Sequence, residues 1–284
     1  MSKNPTISLR SQWLGDRLKR ARRRAGMTLQ EIAEQMQVAD TTLGRFEKGT
    51  VRIRRPYVKE MINFYGISKR SERDALLQLN EDAWRKDWWE GDTSDLETEF
   101  LDYTWLEARA TNISQYESML VPGLLQTRSY ARAVIENGAS ASAEMVDRST
   151  ELRMARQRML FRENPVRLSV VLDEAVLRRP IGGAETLTDQ LFELIAMATR
   201  PNILLRVVML STGWHPGTAG SFTLFDLNDP YPGVAYVENL AGRTFIEDEA
   251  RVDQFRAAYD ELDTRALDPQ ASIELIRTLA KEQE

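Results

Sequence analysis

The chain of 284 residues contains no cysteine and a single histidine, His215. Without cysteine there is no disulfide, thiol nucleophile, iron–sulfur cluster or thiolate zinc site. One imidazole excludes sites that need two, and it leaves only one possible base for a Ser-His-Asp triad. His215 also lies in a loop by composition, where a lone histidine is usually structural. We therefore predict that the protein is not an enzyme and has no metal site and no cofactor.

Long apolar runs are also missing. The run Ile203–Leu210 is interrupted by Arg206, and nothing approaches the roughly 20 apolar residues that span a bilayer. Residues 1–13 lack the apolar core of a signal peptide. We expect a soluble cytoplasmic protein without a membrane partner. The 42% hydrophobic content is enough for packed cores, and the length favours about two domains.

The net charge of −5 hides a strong asymmetry. Residues 1–70 contain 16 Lys and Arg against 6 Asp and Glu, a balance of +10. The remaining residues contain 22 against 37, a balance of −15. A basic segment ahead of an acidic one indicates an anionic partner for the first part, although a solvated basic surface has the same composition. The local pattern has to decide between these two interpretations.

The basic segment has the apolar spacing of consecutive short helices. Thr28 and Glu31 have the spacing of a capping box at the start of the second helix. A break at 37–39 separates this helix from a third one, Pro56 lies in the first turn of a fourth, and Ser68 begins a fifth. Glycines stand where three of these helices would end, at positions 26, 49 and 66.

The second and third helices are short and are joined by three or four residues, which is typical of a helix-turn-helix whose second helix enters the major groove of DNA. The outward residues of that helix are Asp40, Thr41, Thr42 and Arg45. Arg45 can pair with guanine, and the threonines can contact a base edge or a thymine methyl group. Asp40 can accept a hydrogen bond from cytosine, or it can cap the helix.

Further polar residues are predicted to contact the DNA backbone. Arg52, Arg54 and Arg55 follow the third helix beside the expected path of the phosphates. Such contacts position a protein on DNA without reading the sequence. The complete set of predicted DNA-binding residues is Thr28, Gln30, Asp40, Thr41, Thr42, Arg45, Lys48, Arg52, Arg54 and Arg55.

The stretch Met27–Ala33, followed by Val38 and by Leu43–Gly49, resembles the helix-turn-helix of xenobiotic-response-element transcription regulators. The resemblance covers roughly residues 14–70. It implies that the positions of Asp40, Thr41 and Arg45 read bases. Together with the charge balance of +10, it favours double-stranded DNA as the anionic partner.

The same resemblance implies one structural ion pair, and this chain departs from the family at one position. In the family, the acid at the position of Glu47 commonly pairs with the arginine at the position of Arg22, so we predict a structural pair. The family often has a phosphate-contacting glutamine where this chain has Leu29. A glutamine follows at Gln30, about 100° further round the helix.

The rest of the chain predicts a mixed α+β domain. The polar stretch Gly91–Asp95 is the predicted linker. We therefore divide the chain into a helix-turn-helix domain with a trailing helix at 1–92 and an α+β regulatory domain at 93–284. The overall fold class is α+β. Helices are predicted at 96–110, 128–137, 143–161, 184–199, 248–262 and 269–281, strands at 166–172, 203–210, 221–227, 234–238 and 243–246, and extended chain at 112–121.

The order of these elements predicts how the strands pair. The first two strands flank a helix, which allows one parallel crossover, and the later strands follow one another closely as in an antiparallel meander. Four ordered motifs also stand out in this region: Val121–Thr127 with Tyr130–Ala131, Glu151–Gln157, Asp173–Pro180 and Tyr236–Glu238. They resemble the C-terminal domain of unknown function found in many actinobacterial regulators, some of them antitoxin-like. The resemblance implies a helix-turn-helix regulator that recognises a small partner protein encoded nearby.

Two features of this domain leave alternatives open. Pro122, Leu124 and Leu125 form a predicted partner-binding segment, although core packing explains the same residues. The outward arginines of the helix at 143–161 form either a second nucleic-acid surface or ion pairs with nearby acids. Those arginines are Arg148, Arg153, Arg156 and Arg158.

The sequence thus predicts a sequence-specific DNA-binding transcription regulator, and the second resemblance implies an antitoxin-like one that belongs to a toxin–antitoxin pair. Regulators of this type act as homodimers on two half-sites, and we expect a small partner protein on the C-terminal domain. The alternative is a regulator that responds to a small molecule held in an apolar pocket of that domain. Aromatic side chains such as Phe222, Phe225 or Tyr236 would line the pocket.

Overall fold

The computed structural model describes residues 8–85, 98–138 and 142–282. The chain divides into two units, Met1–Trp105 with Asn228–Tyr231 and Leu106–Leu227 with Pro232–Glu284. The predicted linker at Gly91–Asp95 and the boundary between residues 92 and 93 lie outside the described residues. The limits 1–92 and 93–284 therefore stay a prediction.

The first unit is helical, as predicted. Three of its helices are followed by glycines with φ near +65°, and the sequence places these glycines at helix ends. The glycines are Gly26, Gly49 and Gly66. The helices are α1 (Leu9–Arg24), α2 (Leu29–Gln35), α3 (Asp40–Glu47), α4 (Arg55–Phe64), α5 (Arg70–Trp84) and α6 (Thr98–Arg109), the last of which continues into the second unit.

Two glycines let α1 and the end of α3 approach closely. A Cβ atom on Gly15 would lie 2.7 Å from the carbonyl oxygens of Phe46 and Glu47. A Cβ atom on Gly49 would lie 2.6 Å from the carbonyl oxygen of Ser11. Because the opposing atoms are backbone, they cannot rotate away. The position of α3 against α1 therefore depends on the absence of side chains at these two glycines.

The second unit contains a six-stranded mixed sheet with strand order β3-β2-β1-β4-β5-β6. Pairs β1–β2 and β2–β3 are parallel, and the remaining pairs are antiparallel. The predicted crossover and the predicted meander are both confirmed. The extended segment ends at Glu117 and forms the central strand, which adds an unpredicted parallel pair. The strands are β1 (Asn112–Glu117), β2 (Arg167–Asp173), β3 (Ile203–Val208), β4 (Phe222–Asp226), β5 (Val234–Asn239) and β6 (Gly242–Ile246).

The helices of this unit are α7 (Arg128–Gly138), α8 (Ala143–Arg156), α9 (Glu174–Arg178), α10 (Ala184–Met197), α11 (Glu249–Arg265) and α12 (Pro269–Glu282). Helix α11 packs on one face of the sheet, where Val252, Tyr259 and Leu262 meet Tyr116 and Phe222. Helix α12 packs against α10 and β3. In the described part of the chain, no helix is both long and apolar enough to cross a membrane.

Burial decides between alternatives that the sequence leaves open. Pro122 is buried, and Leu124 and Leu125 are 2% and 0% exposed, so these side chains offer no surface to a partner. Core packing is therefore the better explanation of this segment. Phe222 and Phe225, which the sequence suggests as lining of a small-molecule pocket, are likewise buried core residues.

Arg156 does not lie on the outer face of its helix, where the sequence pattern places it. Its Nε and Nη2 atoms donate to Glu107 at 2.7 and 2.6 Å, and both side chains are about 95% buried or more. The helix ends at Arg156 and continues only as a 3-10 turn to Leu160, whereas the prediction extends it to residue 161. A second nucleic-acid surface that includes Arg156 is thereby excluded, and for this residue the ion-pair alternative is correct.

Candidate nucleic-acid interface

A buried ion pair holds the helix-turn-helix together. Arg22 Nε and Nη2 donate to the two carboxylate oxygens of Glu47 at 2.6 and 2.9 Å, and Nη1 donates to the carbonyl oxygen of Met27 at 2.7 Å. The hydrogen bonds to Glu47 raise the pKa of Arg22, so the guanidinium stays charged. One side chain of α1 thus fixes both the end of α3 and the turn into α2. The predicted structural pair is confirmed.

The start of α2 is closed by the predicted capping box. Thr28 Oγ1 accepts from Glu31 N–H at 3.2 Å, and Thr28 N–H donates to Glu31 Oε2 at 2.7 Å. The bond from the Thr28 N–H lowers the pKa of Glu31, which keeps its carboxylate charged. A DNA phosphate near Thr28 therefore has to use the N–H groups of the next two residues or displace this carboxylate.

Leu29 occupies the position where the resembling family often has a glutamine. Its Cδ1 atom would lie 3.9 Å from a Cβ atom added to Gly44, so the leucine lies over α3. Gln30 is exposed, and its Nε2 atom donates to Glu34 Oε1 at 3.0 Å. At this position an apolar contact between α2 and α3 replaces a polar side chain, and Gln30 remains at the surface.

The turn between α2 and α3 sets the first residue of α3. Gln37 has a φ of 53°, in the left-handed region that reverses the chain direction. The N-cap residue of α3 is Ala39, and no side chain caps the helix. The alternative that Asp40 caps the helix is therefore wrong. Asp40 is instead an exposed residue of the first turn, where its negative charge favours the helix dipole.

Helix α3 has one buried face and one exposed polar face. Leu43, Phe46 and Glu47 are buried. Thr41 and Arg45 are exposed one turn apart, and Lys48 continues their row at the end of the helix; Thr42 is half-buried. Within the described chain, the side chain of Arg45 has no hydrogen-bond or ion-pair partner. This face can enter a groove without first breaking a contact of Arg45.

The arginine segment, residues 52–55, leads from the end of α3 into the first turn of α4 and presents three exposed arginines. The guanidinium of Arg52 lies 5.7 Å from the ring centroid of Trp84. Arg55 lies 3.7 Å from Glu81, and both of these side chains are at least half exposed. Arg54 is the N-cap residue of α4. A groove of about 350 Å³ is lined by Arg54, Arg55, Asn80, Glu81 and Trp84.

Asn80 and Trp84 are not among the residues that the sequence predicts for the interface. Both lie on α5, one turn apart, and both contact the arginine segment. Their spacing of four residues indicates that they share one face of a helix. Nothing in the spacing indicated that this face meets the segment after α3. The structure thus brings the predicted residues together on α2, α3 and the following segment, and it adds two residues of α5.

Comparisons with known families agree with the two units. Residues 13–76 match the family described as "Helix-turn-helix domain", which supports a DNA-binding transcription regulator. Residues 100–278 match the family described as "Domain of unknown function (DUF5753)". No curated protein and no solved structure matches the chain significantly. Both resemblances inferred from the sequence are confirmed. Because the second match covers more than half of the chain, the protein belongs to the DUF5753 family and carries a helix-turn-helix domain ahead of its DUF5753 domain.

Proposed function

We propose that this protein is a sequence-specific transcription regulator that places α3 in the major groove of double-stranded DNA. The observation that carries the proposal is the exposed guanidinium of Arg45, which has no side-chain partner in the described chain. Arginine recognises guanine through two parallel hydrogen bonds to O6 and N7. Thr41, Thr42 and Asp40 flank it and complete the base-reading face.

The remaining predicted residues contact the DNA backbone. Arg52, Arg54 and Arg55 lie on the exposed side of one short segment, and Lys48 lies at the end of α3. Each cation that neutralises a phosphate releases condensed counterions, so these contacts give affinity that falls with salt. Thr28 and Gln30 at the start of α2 contribute a further backbone contact.

The experiment is a fluorescence-anisotropy titration of full-length protein with upstream genomic fragments and scrambled fragments, across a range of salt concentrations. Arg45→Ala is expected to cost about 1–3 kcal/mol on the specific fragment and nothing on scrambled DNA. Arg54→Ala is the matched control: it should weaken binding to all fragments alike and reduce the salt slope by about 0.9. If Arg45→Ala binds both fragments as the parent does, the base-reading role is wrong.

We further propose that the protein acts as a homodimer and that its DUF5753 domain binds a small partner protein. A two-fold dimer matches two half-sites spaced by one helical turn of DNA. The partner rests on the resemblance to antitoxin-like regulators. Light scattering of the full-length protein with and without a two-site fragment tests the dimer, and a monomer in both samples would contradict it. Co-expression with the small proteins encoded beside its gene tests the partner, which should co-elute on gel filtration.

A further inference from the structure

Two side chains of α5 donate to one backbone carbonyl in the arginine segment. Asn80 Nδ2 lies 2.6 Å from the carbonyl oxygen of Ile53, and Trp84 Nε1 lies 2.8 Å from the same oxygen. A carbonyl oxygen has two lone pairs, and here both are used. Asn80 is 1% exposed, whereas Trp84 is 46% exposed. We call this pair of donors the Ile53 clamp.

The clamped residue lies in the middle of the segment that carries the arginines. Residues 51–54 belong to no helix or strand, and a helix hydrogen bond holds only their end, where the Arg54 carbonyl accepts from the Val58 N–H at 3.4 Å. Ile53 is 2% exposed, while Arg52 and Arg54 on either side point to solvent. The guanidinium of Arg52 also lies over the Trp84 ring. The Ile53 clamp thus fixes the backbone between the two arginines that project on either side of Ile53.

We propose that Asn80 and Trp84 are positioning residues for DNA-backbone contacts by Arg52, Arg54 and Arg55. This inference rests on the proposed function and adds two residues to it. A free segment of this length would lose conformational entropy when its arginines meet phosphates, and this loss would weaken binding. A segment already held at Ile53 loses less. The clamp therefore raises affinity for DNA of any sequence and leaves base recognition to α3.

The chemistry of the two side chains supports positioning over packing. A purely apolar contact between α5 and Ile53 would need no donor at residue 80, and burying an amide is unfavourable unless it is hydrogen-bonded. Asn80 is almost fully buried with its donor on the Ile53 carbonyl. Trp84 joins the same oxygen from a half-exposed site, where a large aromatic ring is not required for a core.

The test replaces Trp84 by phenylalanine, which keeps a smaller aromatic ring beside Arg52 and removes the N–H donor. We expect Trp84→Phe to weaken binding about 3- to 10-fold, the ratio for one net hydrogen bond, on specific and scrambled fragments alike. The salt slope should fall by up to about 0.9, the value for one phosphate. Hydrogen exchange of the free protein should become faster at residues 50–55 and stay unchanged in α2 and α3. The matched control is Trp214→Phe, the same change at a 71% exposed residue of the second unit, which should leave all three readouts unchanged.

Three outcomes separate the inference from the proposed function. If the parent binds a fragment selectively and Trp84→Phe matches the parent in affinity, salt slope and exchange, the inference alone is overturned. A loss confined to the specific fragment also overturns it, because base reading rather than backbone positioning would then have changed. If the parent binds no DNA even at low salt, the proposed function fails and the inference fails with it. Melting temperatures of both variants, measured beside the parent, ensure that folded proteins are compared.

Discussion

At the residue scale, the same kind of ion pair has very different consequences in the core and at the surface. The side chains of Arg22 and Glu47 are 10% and 4% exposed, so each charge depends on the other for solvation. Arg128 and Glu151 also pair, but their side chains are 57% and 65% exposed, and water solvates both. Removing one member therefore leaves an uncompensated buried charge only in the first pair.

We predict that Arg22→Ala lowers the free energy of unfolding by about 3–5 kcal/mol, the usual cost of leaving one buried charge unpaired. Arg128→Ala, the exposed counterpart, should change it far less, because water solvates both charges of that pair. Urea titrations followed by circular dichroism measure both values. Equal losses in the two variants would contradict the structural role of the Arg22 pair.

At the element scale, the parts of the fold that local rules determine are the parts that the sequence predicts. The capping box at Thr28 and the glycines after the helices act within a few residues, so their positions follow from spacing alone. The burial of Arg156 does not follow from such local rules. Helical periodicity places it on an outer face, but its partner Glu107 lies 49 positions away, and spacing carries no sign of it.

The candidate site divides in the same way. The exposed face of α3 follows from periodicity and from the resemblance, because both depend on consecutive residues. The Ile53 clamp does not follow from periodicity, because its two hydrogen bonds link Ile53 to side chains that lie 27 and 31 positions later in the chain. Strand β1 is a similar case, because the sequence predicts extended chain at 112–121, whereas the tertiary fold decides which strand pairs with it in parallel.

Close contact between α1 and α3 gives a further prediction. Gly15→Ala puts a methyl group against two backbone carbonyls, which cannot move without shifting α3. We expect a loss of about 1–3 kcal/mol in stability, the range for overpacking. Gly138→Ala is the control, because a Cβ atom there meets no atom of the described residues within 4 Å, and alanine favours the helix by up to about 1 kcal/mol. Thermal melting followed by circular dichroism compares the two, and equal melting temperatures would contradict the close approach.

At the scale of the whole molecule, positive and negative charges are concentrated in different parts of the chain. The first 70 residues attract a polyanion with a balance of +10, whereas the remainder repels it with −15. DNA is therefore steered to the basic part of the chain, and the steering weakens as salt screens both halves. The net charge of −5 alone does not predict this steering.

The acidic part also makes the stability of the protein depend on pH. Burial raises the pKa of Glu117 from 4.5 to about 7, while Gln115 and Ser221 donate to the carboxylate and oppose the shift. Folding thus favours the protonated form. The stability gained from this proton is complete below about pH 4.5 and is lost as the pH rises through about 7.

We therefore predict that the free energy of unfolding falls by up to about 3 kcal/mol between these two pH values through Glu117. Glu117→Gln, which is neutral throughout, should remove that part of the slope. Urea titrations at several pH values measure it. An identical pH profile for the parent and Glu117→Gln would show that the carboxyl group keeps its ordinary pKa.

The strand order of the sheet has a consequence for how the chain matures during synthesis. In the central strand, Asn112 pairs with Arg167 on one side and with Asp226 on the other, 114 positions later. Both edges of β1 therefore stay unpaired until the ribosome has synthesised β2 and β4. In the helix-turn-helix, α2 contacts α3 and α1 contacts α3, so these contacts join residues that are near in the chain, and contacts of that kind form fastest. We expect the helix-turn-helix to be ordered while the sheet is still incomplete, so the nascent chain acquires its DNA-binding surface before its DUF5753 domain.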